Sequence, residues 1–183
     1  MNYNLIKMSK IINNISQKYK SFIKNDNIIP YEYVIDYSNE TLLTPYNLYC
    51  NKTQKNISYK TLSNRFNSIE IPKITINDYL LRIKKYSNCS DECLISSFIH
   101  LNTLINKRRV RLSDYNIHRL LIVSIMVFTK FYDDEYYDNK MWASIGGISL
   151  KEINILEIEY CELIEYNLYI DLNEYKKNEE LFL

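Results

Sequence analysis

The chain has 183 residues, of which 46% are apolar and 25% charged, so it has room for one domain with a sizeable core and an extension. Its 23 basic and 22 acidic residues nearly balance. This argues against a nucleic-acid-binding or membrane-surface protein, since such proteins usually carry a basic excess. The N-terminus has no continuous apolar run and no small-residue cleavage site, so we expect no signal peptide and a cytoplasmic or nuclear location.

The four cysteines are too sparse for a disulfide scaffold, which agrees with a reducing compartment. Cys89 and Cys93 have a spacing that zinc uses, but no nearby histidine or second cysteine pair completes a set of four ligands. We therefore predict no metal and no other cofactor, and we interpret Cys93 as a small core residue.

An amphipathic helix is predicted for residues 4–24, within an N-terminal segment 1–24. Its apolar residues recur at steps of three and four and form one stripe. The stripe consists of Leu5, Met8, Ile12, Ile15, Tyr19 and Phe22. It serves either to dock the helix on the domain behind it or to bind a partner, and we favour docking because such a stripe usually faces the nearest core. Residues 25–71 lack periodicity and are predicted to be an irregular linker.

Regular helical units begin at Pro72 and define a domain over residues 72–176, followed by a tail at 177–183. Thr75 is placed to cap the first helix, whose inner face holds Ile76, Tyr79, Leu80 and Ile83. Ser90 is placed to cap the second, whose stripe is Leu94, Phe98, Leu101 and Ile105. The second helix ends in Lys107-Arg108-Arg109, which we interpret as water-facing complements of the helix dipole rather than a nucleic-acid site.

The third helix of this domain is predicted to be capped by Ser113 and to end near Phe131. Between Leu120 and Thr129 it has no charge, glycine or proline. A helix that is apolar on every side belongs at the centre of a helical core, and this one is too short to span a bilayer.

A short fourth helix is predicted from Asn139 to Ser144, stopped by Gly146-Gly147, the only two glycines of the chain. Ser149 and Glu152 form a capping box that opens a fifth helix, which is predicted to continue to about Tyr166. No strand signal of comparable strength is present, so the fold class is all-α.

Two charges fall on apolar helix faces. Lys130 stands over the column of Met126 and Val127 on the third helix, and Glu157 lies on the apolar face of the fifth. A charge on such a face is costly unless it is paired or reaches a polar partner. Three explanations stay open at this point: Lys130 extends to water at a helix C-terminus, the two charges pair inside the fold, or they form a functional site.

Ordered fragments between about Pro72 and Tyr175 resemble the cyclin family, and most closely the phosphate-pathway (P/U-type) cyclins of fungi and protists. The fragments are Ile76-x-Asp78-Tyr79-Leu80-x-Arg82-Ile83, Ser90-Asp91-Glu92-Cys93, Asn116-Ile117-His118-Arg119-Leu120-Leu121, Lys130-Phe131-Tyr132-Asp133-Asp134, Tyr136-Tyr137-x-Asn139, Gly146-Gly147-Ile148-Ser149 and Leu156-Glu157. Each fragment is weak alone, whereas all of them in order form a specific signal.

The resemblance implies a single five-helix cyclin box with the third helix at its centre. It implies a regulatory subunit, not an enzyme, that binds and activates a cyclin-dependent serine/threonine protein kinase. In that family a lysine ending the third box helix and a glutamate of the fifth face the kinase near its regulatory helix. The kinase-binding residues implied here are Lys130, Glu157, Val127, Phe131, Asp133, Cys161, Tyr166 and Leu168.

The chain also departs from the family pattern. Where many cyclins have Asp-Arg inside the second box helix, this chain has Asn102-Thr103, which puts a bracing charge pair in doubt. Two alternatives therefore stay open: a cyclin-fold scaffold that does not activate a kinase, and a nucleic-acid-binding module like those of general transcription factors. The second is disfavoured because residues 71–183 carry 14 basic and 17 acidic residues, a mildly acidic balance.

Overall fold

The computed structural model of the protein describes residues 3–26 and 62–182. Within these ranges its regular structure is helical, without strands, which confirms the all-α prediction. The helices are α1 (Tyr3–Asp26), α2 (Ile76–Ser87), α3 (Asp91–Asn106), α4 (Ile117–Tyr132), α5 (Asn139–Gly146), α6 (Leu150–Leu163) and α7 (Leu172–Phe182), with a 3₁₀ turn at Asn64–Phe66 before α2. Most of the predicted linker lies outside the described residues.

Helix α4 is the centre of the domain, as its composition predicts. From Ile117 to Thr129 every side chain except Arg119 is buried. The helix packs against α2, α3, α5 and α6, so its apolar surface is covered on all sides. An all-round apolar helix is stable only in such surroundings.

Helix α1 packs against α2 and α7. Ile12, Ile15 and Tyr19 of the predicted stripe are buried, and Met8 and Phe22 are partly buried. The Tyr19 ring meets the Phe98 ring of α3 edge to face at 5.5 Å. The stripe therefore faces the core of the same chain, as expected of a docked helix.

Capping was correctly predicted for three helices and wrongly for one. Thr75, Ser90 and Ser149 each accept a hydrogen bond from the backbone amide three residues on. Ser113 does not cap α4, which begins only at Ile117. The reason is Asn116, whose Oδ1 accepts from the Ser113 amide at 2.9 Å and holds the preceding loop as a separate turn.

The basic cluster after α3 is water-facing only in part. Lys107 and Arg108 are exposed, but Arg109 is just 9% exposed and its Nη1 lies 2.9 Å from Glu165 Oε1. The prediction for Arg109 was wrong because the chain reverses at Arg108, where φ is 56°, and turns the next side chain inward. Helix α6 also stops earlier than predicted, at Leu163, because Glu165 and Tyr166 have positive φ.

Two segments flank the box. Leu62–Ser68 crosses the domain, with the Leu62 amide bonded to the Arg109 carbonyl, the Ser68 amide bonded to the Tyr115 carbonyl, and Phe66 buried. Helix α7 runs across the domain boundary expected at residues 176 and 177, and its Phe182 ring packs against Phe98 at 4.8 Å. Residues 177–182 of the expected tail thus continue a helix that packs on α3.

The two glycines set the position of α5. A Cβ on Gly146 would lie 2.9 Å from Ile122 Cγ1 of α4, so only glycine permits this close approach. Gly147 adopts a φ of +71° and ends the helix in the left-handed conformation. Helix α5 is therefore held against α4 at one end while its other end reaches the C-terminus of α4.

Candidate functional site

The two charges predicted on apolar faces meet at the protein surface. Lys130 Nζ, in the last turn of α4, lies 2.5 Å from Glu157 Oε1 of α6. The side chains are 25% and 22% exposed, so neither is sealed in the core. Pairing and accessibility are therefore compatible: the two charges satisfy each other and still face the outside.

Asn139, the first residue of α5, joins this pair. Its Oδ1 accepts a hydrogen bond from Lys130 Nζ, and its Nδ2 donates to Glu157 Oε2 at 2.6 Å. The same Nδ2 donates to Asn154 Oδ1 of α6 at 2.7 Å. Three helices thus contribute to one polar group, which we call the Lys130 cluster: Lys130, Asn139, Asn154 and Glu157.

Apolar side chains of α4 and α6 adjoin the Lys130 cluster. Val127 is buried one turn before Phe131, which is 58% exposed and stands on the same face. Cys161 follows Glu157 by one turn and is half-buried. Burial, together with the Glu157 carboxylate, raises the pKa of the Cys161 thiol against the opposing effect of Lys130, so the thiol is protonated near neutral pH.

The chain after α6 supplies two further predicted residues. Tyr166 is 68% exposed, and its amide bonds the Cys161 carbonyl at 2.8 Å, which fixes its place beside the end of α6. Leu168 packs partly against the core, and its carbonyl accepts the Tyr132 hydroxyl at 2.9 Å. This bond ties the end of α4 to the segment that follows α6.

Asp133 is placed differently from the other predicted residues. Its Oδ2 accepts a hydrogen bond from the Ser90 amide at 3.0 Å, at the start of α3. Its carboxylate therefore joins the end of α4 to the beginning of α3. The nearby Cys93 is fully buried, and burial raises the pKa of its thiol to about 12, as expected of a core cysteine.

The sequence pattern missed Asn139 and Asn154 as members of the site. Both are uncharged: Asn139 lies among polar residues, where asparagine is ordinary, and Asn154 stands between Ile153 and Ile155 without a charge to mark it. The one available signal was that Asn154 precedes Glu157 by three residues, which places the two side chains on the same helix face. Asn139 could be assigned only once α5 was placed against α4.

The residues Asn102-Thr103, which depart from the family pattern, lie in α3. Thr103 Oγ1 donates to the Ile99 carbonyl of its own helix at 2.9 Å, and its hydroxyl carries no charge that could pair across helices. The bond between Arg109 and Glu165 ties the end of α3 to the end of α6 by a different route.

Comparison with known proteins agrees with this helical arrangement. A sequence profile of the family described as Cyclin matches residues 9–168. The chain therefore belongs to the cyclin family. The match includes much of α1 as well as the box helices. Among the described helices, none combines the length and apolar character needed to cross a membrane.

Individual relatives carry plant and fungal cyclin names. The chain is 40% identical over 111 residues to Cyclin-U4-1 of Arabidopsis thaliana, which covers 60% of this chain and 55% of the relative. It is 38% identical over 106 residues to Cyclin-P4-1 of Oryza sativa subsp. japonica, covering 57% and 50%. It is 33% identical over 120 residues to the PHO85 cyclin-like protein psl1 of Schizosaccharomyces pombe, covering 64% and 49%. The chain spans about half the length of these relatives.

Proposed function

We propose that this chain is a regulatory subunit that binds and activates a cyclin-dependent serine/threonine protein kinase. The docking surface is formed by the C-terminal end of α4, the outer face of α6 and the segment after α6. The observation that supports it best is the Lys130 cluster: a charge pair that is satisfied within the chain, partly exposed, and beside exposed apolar side chains.

The cluster has bonding capacity left for a partner. An ammonium has three N–H groups, and the bonds to Glu157 and Asn139 use two of them. Each Glu157 oxygen accepts one bond within the cluster and has a further lone pair. A partner backbone offers carbonyl oxygens to the lysine and amide groups to the glutamate. Because both side chains are already ordered, binding loses little conformational entropy.

The apolar neighbours provide the contact area around this polar centre. Phe131 and Tyr166 are exposed aromatics, a residue class that dominates binding energy in protein interfaces. In this proposal they pack against the kinase regulatory helix, whose glutamate must pair with the lysine that holds the ATP phosphates. Binding stabilises the active orientation of that helix over the inactive one, so activation is a population shift.

We further place the chain among the phosphate-pathway (P/U-type) cyclins, as a non-enzymatic protein of the cytoplasm or nucleus with a role in cell division or nutrient signalling. The U and P designations of the plant relatives and the name of the fission yeast relative support this placement. The partner would then be a cyclin-dependent kinase that binds cyclins of the P/U type.

A titration with purified kinases tests the proposal. Each cyclin-dependent kinase of the source organism is titrated with the full chain, and both affinity and kinase activity are measured. One kinase should bind and gain activity, and Lys130→Ala or Glu157→Ala should weaken its binding at least about tenfold. Lys177→Ala and Glu180→Ala, which remove exposed charges from α7, are the matched controls and should bind normally.

Three results would contradict parts of this proposal. Normal binding by folded Lys130→Ala and Glu157→Ala variants would show that the docking surface is elsewhere. Binding without any gain in kinase activity would favour a scaffold. A salt-dependent shift of duplex DNA without kinase binding would favour the nucleic-acid alternative.

A further inference from the structure

Asn139 occupies a position where only a carboxamide satisfies all of its neighbours. Its side chain lies between a cation of α4 and an anion of α6, with its oxygen toward Lys130 and its nitrogen toward Glu157. The reverse orientation would direct N–H groups at the ammonium and an oxygen at the carboxylate, and both contacts are repulsive. The surrounding charges therefore fix the orientation of the amide.

The other groups around Asn139 hold it in place. Both of its N–H groups are used, one by Glu157 Oε2 at 2.6 Å and one by Asn154 Oδ1 at 2.7 Å. Its backbone is fixed because Asp138 Oδ1 accepts the Met141 amide at 2.9 Å and caps α5. Asn139 is thus ordered by the fold and in turn orders the two charged side chains.

We propose that Asn139 is a positioning residue, which holds Lys130 and Glu157 in the arrangement that a kinase binds, with Asn154 as its support. This inference rests on the proposed function and adds a residue that does not itself carry charge. Without Asn139, Lys130 and Glu157 are a surface pair of two flexible side chains, and such pairs adopt several geometries at little cost in free energy. With it, the pair is ordered before the kinase arrives, which reduces the entropy lost on docking.

Two isosteric substitutions separate this role from a general effect of charge. Asn139→Asp keeps the acceptor for Lys130 but replaces both N–H donors by an anion that faces Glu157 and Asn154 oxygens. Asn154→Asp adds the same charge to the same cluster but keeps the acceptor that Asn139 needs. Asn139→Asp should weaken kinase binding about tenfold, as expected when a second carboxylate is placed beside Glu157 in a binding surface. Asn154→Asp should change it less than about twofold, as expected of a retained bond at an exposed position.

A second measurement observes the cluster in the free protein. The side-chain ammonium of Lys130 is followed by nitrogen NMR, because its protons exchange slowly with water only while they are held in hydrogen bonds. The signal should be retained in the wild-type chain and in Asn154→Asp, and it should broaden or disappear in Asn139→Ala, which removes the acceptor for Lys130.

A double variant tests whether misfolding explains the weaker binding of the single variant. Combining Asn139→Asp with Glu157→Gln exchanges the carboxylate and the carboxamide while the net charge of the cluster stays the same. The double variant should melt at the temperature of the wild type, but kinase affinity should stay low because the carboxylate has moved.

The outcomes are distinguishable. The proposal for Asn139 is wrong if Asn139→Ala retains the Lys130 signal, or if Asn139→Asp binds the kinase as the wild type does while Lys130→Ala does not. If Lys130→Ala and Glu157→Ala also bind normally, the proposed function fails at this surface and the role of Asn139 fails with it.

Discussion

Both ends of α4 carry a cation that pairs with a glutamate of α6, yet we propose a docking site at only one of them. Arg119 Nε lies 2.6 Å from Glu152 Oε1 at the N-terminal end, and Lys130 Nζ lies 2.5 Å from Glu157 Oε1 at the C-terminal end. The distances are similar, and all four side chains are partly exposed. An ion pair between the two helices therefore does not by itself distinguish a binding site from a structural tie.

The surroundings make the difference. Near Arg119, His118 Nε2 bonds the Ile74 carbonyl, its ring meets the Tyr79 ring at 5.0 Å, and the Tyr79 hydroxyl donates to the Gly146 carbonyl. These contacts are all made within the fold. Near Lys130, Phe131 and Tyr132 are exposed instead. Exposed aromatic side chains beside a satisfied but accessible charge pair are the pattern expected of an interface.

Charge reversal at each end should give the largest contrast. Lys130→Glu places two carboxylates together on the proposed docking surface, so kinase binding should weaken by about 3 kcal/mol, since like charges in an interface cost several kcal/mol. Arg119→Glu makes the same change at the other end and should leave kinase affinity unchanged while it lowers the melting temperature. Calorimetric titration and thermal unfolding of both variants check this, and equal losses of affinity would remove the distinction between the two ends.

Gly146→Ala should have the next largest effect, because it disturbs the helix that connects the two ends. The new methyl group would lie 2.9 Å from Ile122 Cγ1 in the buried core. We expect about 2 kcal/mol loss of unfolding free energy, as for other overpacked core sites. Gly147→Ala is the control, since a Cβ there meets no atom within 4 Å and only the positive φ opposes it. It should cost about 1 kcal/mol, and denaturant titrations that rank the two variants in the opposite order would contradict the packing argument.

Truncation of Arg119 should have a smaller effect on stability. Arg119→Ala removes a partly exposed pair with Glu152, and we expect about 1 kcal/mol loss of unfolding free energy or less. A double-mutant cycle with Glu152→Ala measures the coupling between the two residues. Kinase affinity measured alongside should not change, and a loss there would extend the docking surface to the N-terminal end of α4.

The smallest effect should be a pH dependence from His118. Burial lowers the pKa of His118 below its usual value, despite the opposing bond to the Ile74 carbonyl. The unfolded chain therefore takes up the proton at a higher pH than the folded chain. The stabilising contribution is complete above the usual histidine pKa and is lost as the pH falls through the lower folded value. Unfolding free energy measured across that range should fall less in His118→Asn than in the wild type, whereas identical pH profiles would rule out this contribution.

The helices followed from local sequence because their signals are local. Three helices begin at capping residues followed by acidic residues: Thr75, Ser90 and Ser149. The apolar run of α4 predicted its central position, because a helix that is apolar on every side must be buried. Predictions failed in the turns between helices, which helical periodicity does not describe. Asn116 took over the turn before α4, and the chain reversal at Arg108 carried Arg109 inward to Glu165.

The sequence likewise predicted only part of the candidate site. The sequence determined that Lys130 and Glu157 are anomalous, because helical periodicity places each charge on an apolar face. It did not determine how the two charges are satisfied. The tertiary structure decided that they pair with each other, that Asn139 and Asn154 complete the cluster, and that Asp133 accepts a hydrogen bond from the start of α3. The physical reason is that burial and helix periodicity are properties of one segment, whereas a hydrogen bond needs two groups within about 3 Å. Only the packing of α5 against α4, allowed by Gly146, brings Asn139 to that distance.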